Sequence, residues 1–153
     1  MKRTLVITDL TRFSTGNPKV CTAGLDRQTG ECIRPMPYLP FTECTRMGIL
    51  PGGILTGEFT PITTRTAPHM EDCRHQDLQF GGSCPGEEFR KVLAGSCFAS
   101  VEAGFEVSLA AGEKMIPPTH RVQRSIISLQ VAPGSVEIVE NIRSYPAGGT
   151  EKP

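Results

Sequence analysis

Short runs of alternating apolar and polar residues dominate the first half of the chain. Four segments have the two-residue period of β-strands: residues 3–8, 20–26, 31–35 and 52–62. The tetrapeptide RQTG alone separates the second segment from the third, which predicts a hairpin. We expect Pro35 to end the third strand and Gly57 to bend the fourth.

The pattern changes in the second half. Residues 69–82 are polar and predict irregular chain, and an amphipathic helix follows, with Ser83 or Cys84 as its cap and Gly95 at its end. Its apolar stripe has the i, i+3, i+4 spacing of a helix face: Phe89, Val92 and Leu93. Ser96 is expected to cap a second short helix. Two β-branched runs predict closing strands at residues 125–132 and 135–142.

This order of elements predicts a mainly β fold with short helices. Short antiparallel strands with interposed helices are typical of small Greek-key barrels or of an α+β sheet. The chain has 153 residues, enough for one domain or for two very small units that share a core. We place the boundaries at residues 1–67 and 68–145, followed by a flexible tail at residues 146–153.

Composition limits the classes of function. The 16 basic and 16 acidic residues give a net charge of zero, so nucleic-acid binding would need a local patch, and a short ligand is favoured over long duplex DNA. No apolar run is long enough for a membrane span or an export signal. We therefore expect a cytoplasmic protein whose six cysteines are reduced thiols.

Charged side chains follow the first and third predicted strands. Asp9, Thr11 and Arg12 follow the first strand, and Arg34 lies at the end of the third. If the second strand is antiparallel to both, these ends share one rim of the sheet. Two guanidinium groups and a carboxylate there suit a phosphate or a nucleotide. The alternative is a structural Asp9–Arg34 ion pair that fixes the hairpin, with Arg12 pointing outward.

A second set of polar residues lies in one predicted loop. His69, Glu71 and Asp72 are suited to ligand binding, to acid–base chemistry or to a divalent metal, but acids in a polar loop are often simply solvated. Their spacing matches no standard metal motif.

The remaining candidates are cysteines and aromatic residues. Cys73, His75 and Cys84 are weak zinc candidates, because their spacing is also not standard, and no cofactor is predicted. Cys21 and Cys32 are expected to face each other across the hairpin as small core residues. Among the aromatic residues, Phe13 and Tyr38 are candidates for the surface near the proposed site arginines, although each is more often a core residue than a stacking platform.

The ordered set of these motifs resembles a known family. TDLTR at 8–12, VCTAGLD at 20–26, IRP at 33–35 and PHMED at 68–72 are similar to the pattern of the dual OB-containing domain family of bacterial proteins. The match covers roughly the first half of the chain. The positions that match are Asp9, Thr11, Arg12, Cys21, Arg34, Pro35, His69, Glu71 and Asp72.

The resemblance implies two small OB-like barrels in one compact unit and a role in binding nucleic acid or nucleotides. The chain departs from the family pattern at Met70, where Thr is usual, and at Cys73, where an aromatic residue is usual. An aromatic residue that stacked on a base at position 73 would be missing from this protein.

Three functional hypotheses follow. The first is a small binding domain that takes single-stranded nucleic acid or a nucleotide-like phosphate ligand at the rim of strand-end arginines and the His69–Asp72 loop. The second is a metal-assisted hydrolase or nuclease that uses His69, Glu71 and Asp72. The third is a protein-interaction or oligomerisation module that pairs through an exposed strand, giving a homo-oligomer.

Overall fold

The computed structural model describes residues 1–13, 16–113 and 115–137. Eight strands and three short helices lie within these residues. The strands are β1 Lys2–Arg12, β2 Lys19–Asp26, β3 Cys32–Met36, β4 Leu39–Pro40, β5 Gly53–Pro61, β6 Asp72–Ser83, β7 Cys97–Phe98 and β8 Ser128–Leu129. The helices are α1 Phe41–Met47, α2 Gly86–Ala94 and α3 Val101–Phe105. No helix in the described part of the chain is long and apolar enough to cross a membrane.

Five of the strands close a β-barrel. Strand β1 pairs antiparallel with both β2 and β5, β5 pairs antiparallel with β6, and β2 pairs antiparallel with β3. The circle closes through β3 and β6, which are parallel. The prediction of a mainly β protein is therefore confirmed, and the closed barrel with few short helices is consistent with an OB-like fold.

The barrel interior is filled by alternate residues of its strands. One cluster of buried side chains contains Leu5, Ile33, Phe59 and Cys73. A second cluster, built around Ile7, Val20, Leu39, Cys44, Ile49 and Leu55, continues to α1 at one end of the barrel. Burying each large apolar side chain of this kind contributes about 1.5–3 kcal/mol. The interior of the barrel is therefore a packed core.

Several strand boundaries differ from the sequence-based prediction. Strand β1 continues to Arg12 because the pairing with β2 resumes after a bulge between Ile7 and Asp9. Asp9, Thr11 and Arg12 are thus strand residues and do not follow the strand. Strand β3 likewise passes through Pro35 to Met36. The predicted irregularity of β5 is confirmed, since its register with β6 shifts across Gly57.

The prediction of irregular chain over residues 69–82 was wrong. Residues 72–83 form β6, the longest strand, because β5 and β3 supply hydrogen-bonding partners on its two sides. The predicted hairpin of β2 and β3 is confirmed, with Gly24 opposite Ile33. The first predicted helix is also confirmed as α2, although its N-cap is Pro85 and not Ser83 or Cys84.

The remaining second half is less regular than predicted. Ser100, not Ser96, caps α3, and its hydroxyl accepts a hydrogen bond from the Ala103 amide at 3.1 Å. Of the strand predicted at residues 125–132, only β8 forms, and it pairs in parallel with β7. Within the described part of residues 84–137 this is the one strand pairing, so a second barrel is not confirmed there. Most of the strand predicted at residues 135–142, and all of the tail, lie outside the described residues.

Candidate ligand-binding face

Strand register places most of the predicted site residues on one face of the barrel. Ile33 and Cys73 point into the core, so their neighbours Arg34 and Asp72, which pair with each other, point outward. Val20 and Thr22 are buried in the same way, and Cys21 therefore points outward beside Thr11, its partner on β1. We call this surface the β2–β3 face. It also carries Asp9, which pairs with Ala23.

Arg34 connects three parts of the structure across this face. Its side chain is about 8 % exposed, and its Nε donates to Asp72 Oδ1 at 2.6 Å. Nη1 donates to Ser125 Oγ at 3.1 Å, and Nη2 lies 2.8 Å from His69 Nδ1. Because a guanidinium group only donates hydrogen bonds, His69 Nδ1 is the acceptor. Arg34 therefore holds the loop before β6 and the segment around Ser125 against the barrel.

Glu71 reinforces the same junction from the loop side. Its backbone carbonyl accepts a hydrogen bond from the Arg34 amide at 2.9 Å. Its Oε1 accepts from the Ser125 amide at 3.0 Å and also from the Ser125 hydroxyl. His69, Glu71 and Asp72, predicted as one functional group, are thus brought together, but each is already bonded to Arg34 or Ser125.

The electrostatics of the β2–β3 face follow from this arrangement. Burial lowers the pKa of Arg34, but the hydrogen bond and charge of Asp72, with the charge of Glu71, outweigh it, so the pKa lies above its usual value. Burial is also the main cause that raises the pKa of the Cys21 thiol, which the charge of Arg34 opposes. Burial and the charge of Glu71 raise the pKa of Cys32 to about 12. At neutral pH both cysteines are uncharged.

The predicted Asp9–Arg34 ion pair does not form. Among the described residues the carboxylate partner of Arg34 is Asp72, which lies directly opposite it on the parallel strand β6. Asp9 instead accepts a hydrogen bond from the Thr11 hydroxyl at 3.3 Å. Asp9 and Arg34 are separated by the width of β2. The sequence did not predict the pairing of β3 with β6, which places Asp72 closer to Arg34 than Asp9 is.

Aromatic side chains and Arg12 gather at one end of this face. The Arg12 guanidinium lies 4.3 Å from the ring centre of Phe41, the first residue of α1. The rings of Phe13 and Tyr38 pack with their centres 4.8 Å apart. Phe13 and Phe41 are 47 % and 40 % exposed. We call Arg12, Phe13, Tyr38 and Phe41 the aromatic platform.

The platform lies where β1 ends, next to the β2–β3 face, because Phe13 directly follows Arg12, the last residue of β1. Arg12 pairs with Val20 and so lies on the other side of β1 from Asp9 and Thr11. In the described part of the chain no carboxylate forms an ion pair with Arg12. Its guanidinium is therefore available to a ligand, whereas that of Arg34 is occupied.

The weak zinc candidates do not converge. Cys73 is buried in the core, His75 Nε2 lies 3.1 Å from the carbonyl of Pro37, and Cys84 follows β6 near Gly52. Within the described residues no group of three or more His, Cys, Asp or Glu side chains could hold a metal ion. Because Cys73 points into the barrel core, a side chain at this position is not placed to stack on a base.

Other expectations about single residues were wrong or incomplete. Cys32 lies opposite Leu25 in the hairpin, so it does not face Cys21. Sequence reasoning missed Ser125 and Phe41 as members of the site. Ser125 carries no local signal, because its role depends on a contact across 91 positions with Arg34. Phe41 follows Pro40, a common helix start, and that signal could have identified α1.

Fold and surface together define a small β-barrel protein with an aromatic and cationic patch at one end of its β2–β3 face. Comparison of the chain with protein-family models, with curated proteins and with solved structures finds no match. The likeness to an OB fold therefore depends on the strand pairing of the barrel itself.

Proposed function

We propose that this protein is a small binding domain for short single-stranded nucleic acid or a nucleotide-like phosphate ligand. The observation that carries the proposal is the aromatic platform, in which two exposed rings accompany a guanidinium group that pairs with no carboxylate among the described residues. Aromatic stacking of bases combined with cationic contacts to phosphates is the general mode of single-strand binding. In this mode Phe13 and Phe41 stack on bases and Arg12 contacts a phosphate.

The position of the platform supports the proposal. OB folds bind oligonucleotides on the face of their second and third strands and on the loops after their first and fourth strands. In this barrel the corresponding elements are the β2–β3 face, the loop after β1 that begins with Phe13, and the loop before β6 that contains His69. On that face Asp9 is half-buried and Thr11 is exposed. The Asp9 carboxylate can accept a hydrogen bond from a base edge, and the Thr11 hydroxyl can donate or accept one.

The site residues have different roles in this proposal. Arg34, Glu71 and Asp72 hold the loop before β6 in place, whereas Arg12 and the aromatic rings contact the ligand. The proposal retains membership of the dual OB-containing domain family, a second OB-like unit and a cytoplasmic location. Because β6 belongs to the described barrel, that second unit is proposed for the residues after Ser83 and not from residue 68 onward. We do not propose the hydrolase, because the hydrogen bonds of His69, Glu71 and Asp72 leave them engaged within the protein.

Fluorescence anisotropy with a labelled single strand of about eight nucleotides tests the proposal, since such sites span roughly 4–16 nucleotides. Phe13→Ala should weaken binding by about 1–3 kcal/mol, the contribution of one stacked base. Arg12→Gln should reduce the slope of log affinity against log salt by about 0.7, the value for one phosphate contact on a single strand. Competition with unlabelled mononucleotides distinguishes the two kinds of ligand. Mononucleotides should displace the labelled strand if the site takes a single nucleotide, and should displace it poorly if the site needs a strand.

Arg90→Gln is the matched control, because Arg90 is exposed on α2. The neighbouring Glu88 pairs with Arg27, in the turn at the far end of β2 from the platform. This variant should keep the affinity and the salt slope of the unmodified protein. Absence of binding at low salt, or equal affinity in Phe13→Ala, Arg12→Gln and Arg90→Gln, would contradict the proposal.

A further inference from the structure

The second half of the chain covers one end of the β2–β3 face. Leu25 and Cys32, at the end of the face away from the aromatic platform, line a gap of about 510 Å³ between the barrel and the second half. The other side of this gap is lined by apolar residues of the second half: Phe98, Ile126 and Ile127. Cys21, toward the platform, does not line the gap. The face therefore has an open end beside the platform and a covered end.

The covering residues form a unit with packing of its own. Strands β7 and β8 pair with each other in parallel. Helix α3 packs closely on this pair, because a Cβ at Gly104 would lie 2.6 Å from Ile127 Cδ1 and 3.3 Å from Phe98 Cγ. We call residues 97–113 and 115–130 the cover. Because the cover has these internal contacts, it can move relative to the barrel as one body.

One residue, Ser125, carries the hydrogen bonds that join the cover to the barrel. Its hydroxyl accepts from Arg34 Nη1 at 3.1 Å and also donates to Glu71 Oε1. Its amide donates to the same Glu71 oxygen at 3.0 Å. Among the residues that the structure describes, no other hydrogen bond or ion pair links the cover to residues 1–83. Ser125 therefore acts as the latch of the cover.

Two features favour opening of the cover. Close-packed protein interiors have few voids larger than a water molecule, whereas about 510 Å³ separates the cover from the barrel. In addition, Glu71 Oε2 is buried in the closed position and has no hydrogen-bond partner within the described residues. A buried acceptor without a partner costs free energy, and water restores its hydrogen bonds when the cover opens. Both features reduce the free energy that opening requires.

We infer that the cover is autoinhibitory: Ser125 latches it over one end of the β2–β3 face, and a single strand too long for the aromatic platform displaces it. Opening releases Arg34 Nη1 from the Ser125 hydroxyl, and a phosphate of the strand then takes the place of that hydroxyl. This inference rests on the proposed strand-binding function, because the strand is the ligand that the cover excludes. A shorter strand that occupies only the platform leaves the cover closed.

Alkylation of Cys32 by iodoacetamide, followed by peptide mass spectrometry, measures opening without any ligand. Cys32 lines the gap, and burial raises its pKa to about 12, so the closed position suppresses its reactive thiolate. Ser125→Ala removes both hydroxyl hydrogen bonds and should raise the alkylation rate roughly tenfold to a hundredfold, because the rate follows the open fraction. Ser108→Ala, an exposed change within the cover, is the matched control and should leave the rate unchanged.

Alkylation of Cys44 distinguishes opening of the cover from unfolding of the barrel. Cys44 is buried in the core cluster that joins the barrel to α1, so it reacts only when that core opens. Its alkylation should be equally slow in Ser125→Ala and in the unmodified protein. An unchanged rate at Cys32 in Ser125→Ala, or a rise at Cys32 that is matched at Cys44, would overturn the inference.

Strand length tests the autoinhibition itself. Ser125→Ala should bind a strand of about 16 nucleotides roughly tenfold to a hundredfold more tightly than Ser108→Ala does, because apparent affinity follows the open fraction. A strand of about four nucleotides, which the platform can hold alone, should bind both variants equally. Equal affinity of the two variants for the long strand would overturn the inference and leave the strand-binding proposal standing. If neither strand binds either variant, the strand-binding proposal fails, and the autoinhibition fails with it.

Discussion

Removing the guanidinium group of Arg34 should destabilise the protein more than removing any exposed charge. In Arg34→Met the apolar stem remains, but Asp72, Ser125 and His69 each lose a hydrogen-bond donor. The Asp72 side chain is only 15 % exposed, so its carboxylate is left mostly buried without its cation. Arg34→Met therefore removes the charged hydrogen bonds of Arg34 but keeps the packing of its apolar stem.

The size of the effect follows from the burial of the pair. Breaking a buried ion pair by removing one partner costs about 3–5 kcal/mol, because the other charge stays buried without compensation. Small domains have a total stability of about 5–15 kcal/mol, so this loss is a large share of it. Arg34→Lys keeps the charge but not the planar fork that reaches three partners, and should lose roughly half as much.

Urea unfolding followed by far-ultraviolet circular dichroism measures this loss, since the chain has no Trp to report by fluorescence. Arg90→Met, an exposed change on α2, is the control and should leave the free energy of unfolding unchanged. The double variant Arg34→Met with Asp72→Asn should be less destabilised than the sum of the single changes. A loss below about 1 kcal/mol in Arg34→Met would show that solvent replaces the hydrogen bonds of Arg34 and that the ion pair behaves as an exposed one.

Two further predictions concern the barrel. Burial raises the pKa of Cys32 from 9.0 to about 12 in the folded protein. The folded state therefore favours the neutral thiol, and this contribution to stability is complete below pH 9 and is lost as the pH rises toward 12. The free energies of unfolding of the unmodified protein and of Cys32→Ala should therefore converge by about 1.4 kcal/mol per pH unit above pH 9, and parallel curves would contradict this. In Gly24→Ala the new Cβ would lie 2.9 Å from the Val6 carbonyl oxygen, which should cost about 1–3 kcal/mol. Gly86→Ala, with open space at the new Cβ, should stabilise α2 slightly in the same urea unfolding assay, and equal changes in the free energy of unfolding of the two variants would argue against crowding at Gly24.

Local patterns predicted the elements that depend on local interactions. The RQTG turn predicted the β2–β3 hairpin, and the stripe of Phe89, Val92 and Leu93 predicted α2. The two strands of the hairpin are separated by only a few residues, and the stop signal of α2, Gly95, directly follows the helix. The mainly β class followed from the same patterns, because alternating runs and frequent Gly and Pro favour short strands.

Interactions between distant parts of the chain could not be predicted in this way. Strand β6 has few apolar residues, and β5 and β3 determine its conformation through backbone pairing. The ion pair of Arg34 was assigned to the wrong acid because the parallel pairing of β3 and β6 has no sequence signal. Arg34, His69, Glu71 and Asp72 converge in the structure, and Ser125, which joins them, was not predicted.

Titration of the ¹⁵N-labelled protein with a short single strand is the decisive test of ligand binding at the aromatic platform. The amide resonances recorded with an unlabelled strand of about eight nucleotides report where the ligand lies. We expect the largest shifts at Arg12, Phe13, Tyr38 and Phe41, with smaller shifts along the β2–β3 face as far as Cys21. Shifts confined to α2, or no shift at low salt, would contradict it.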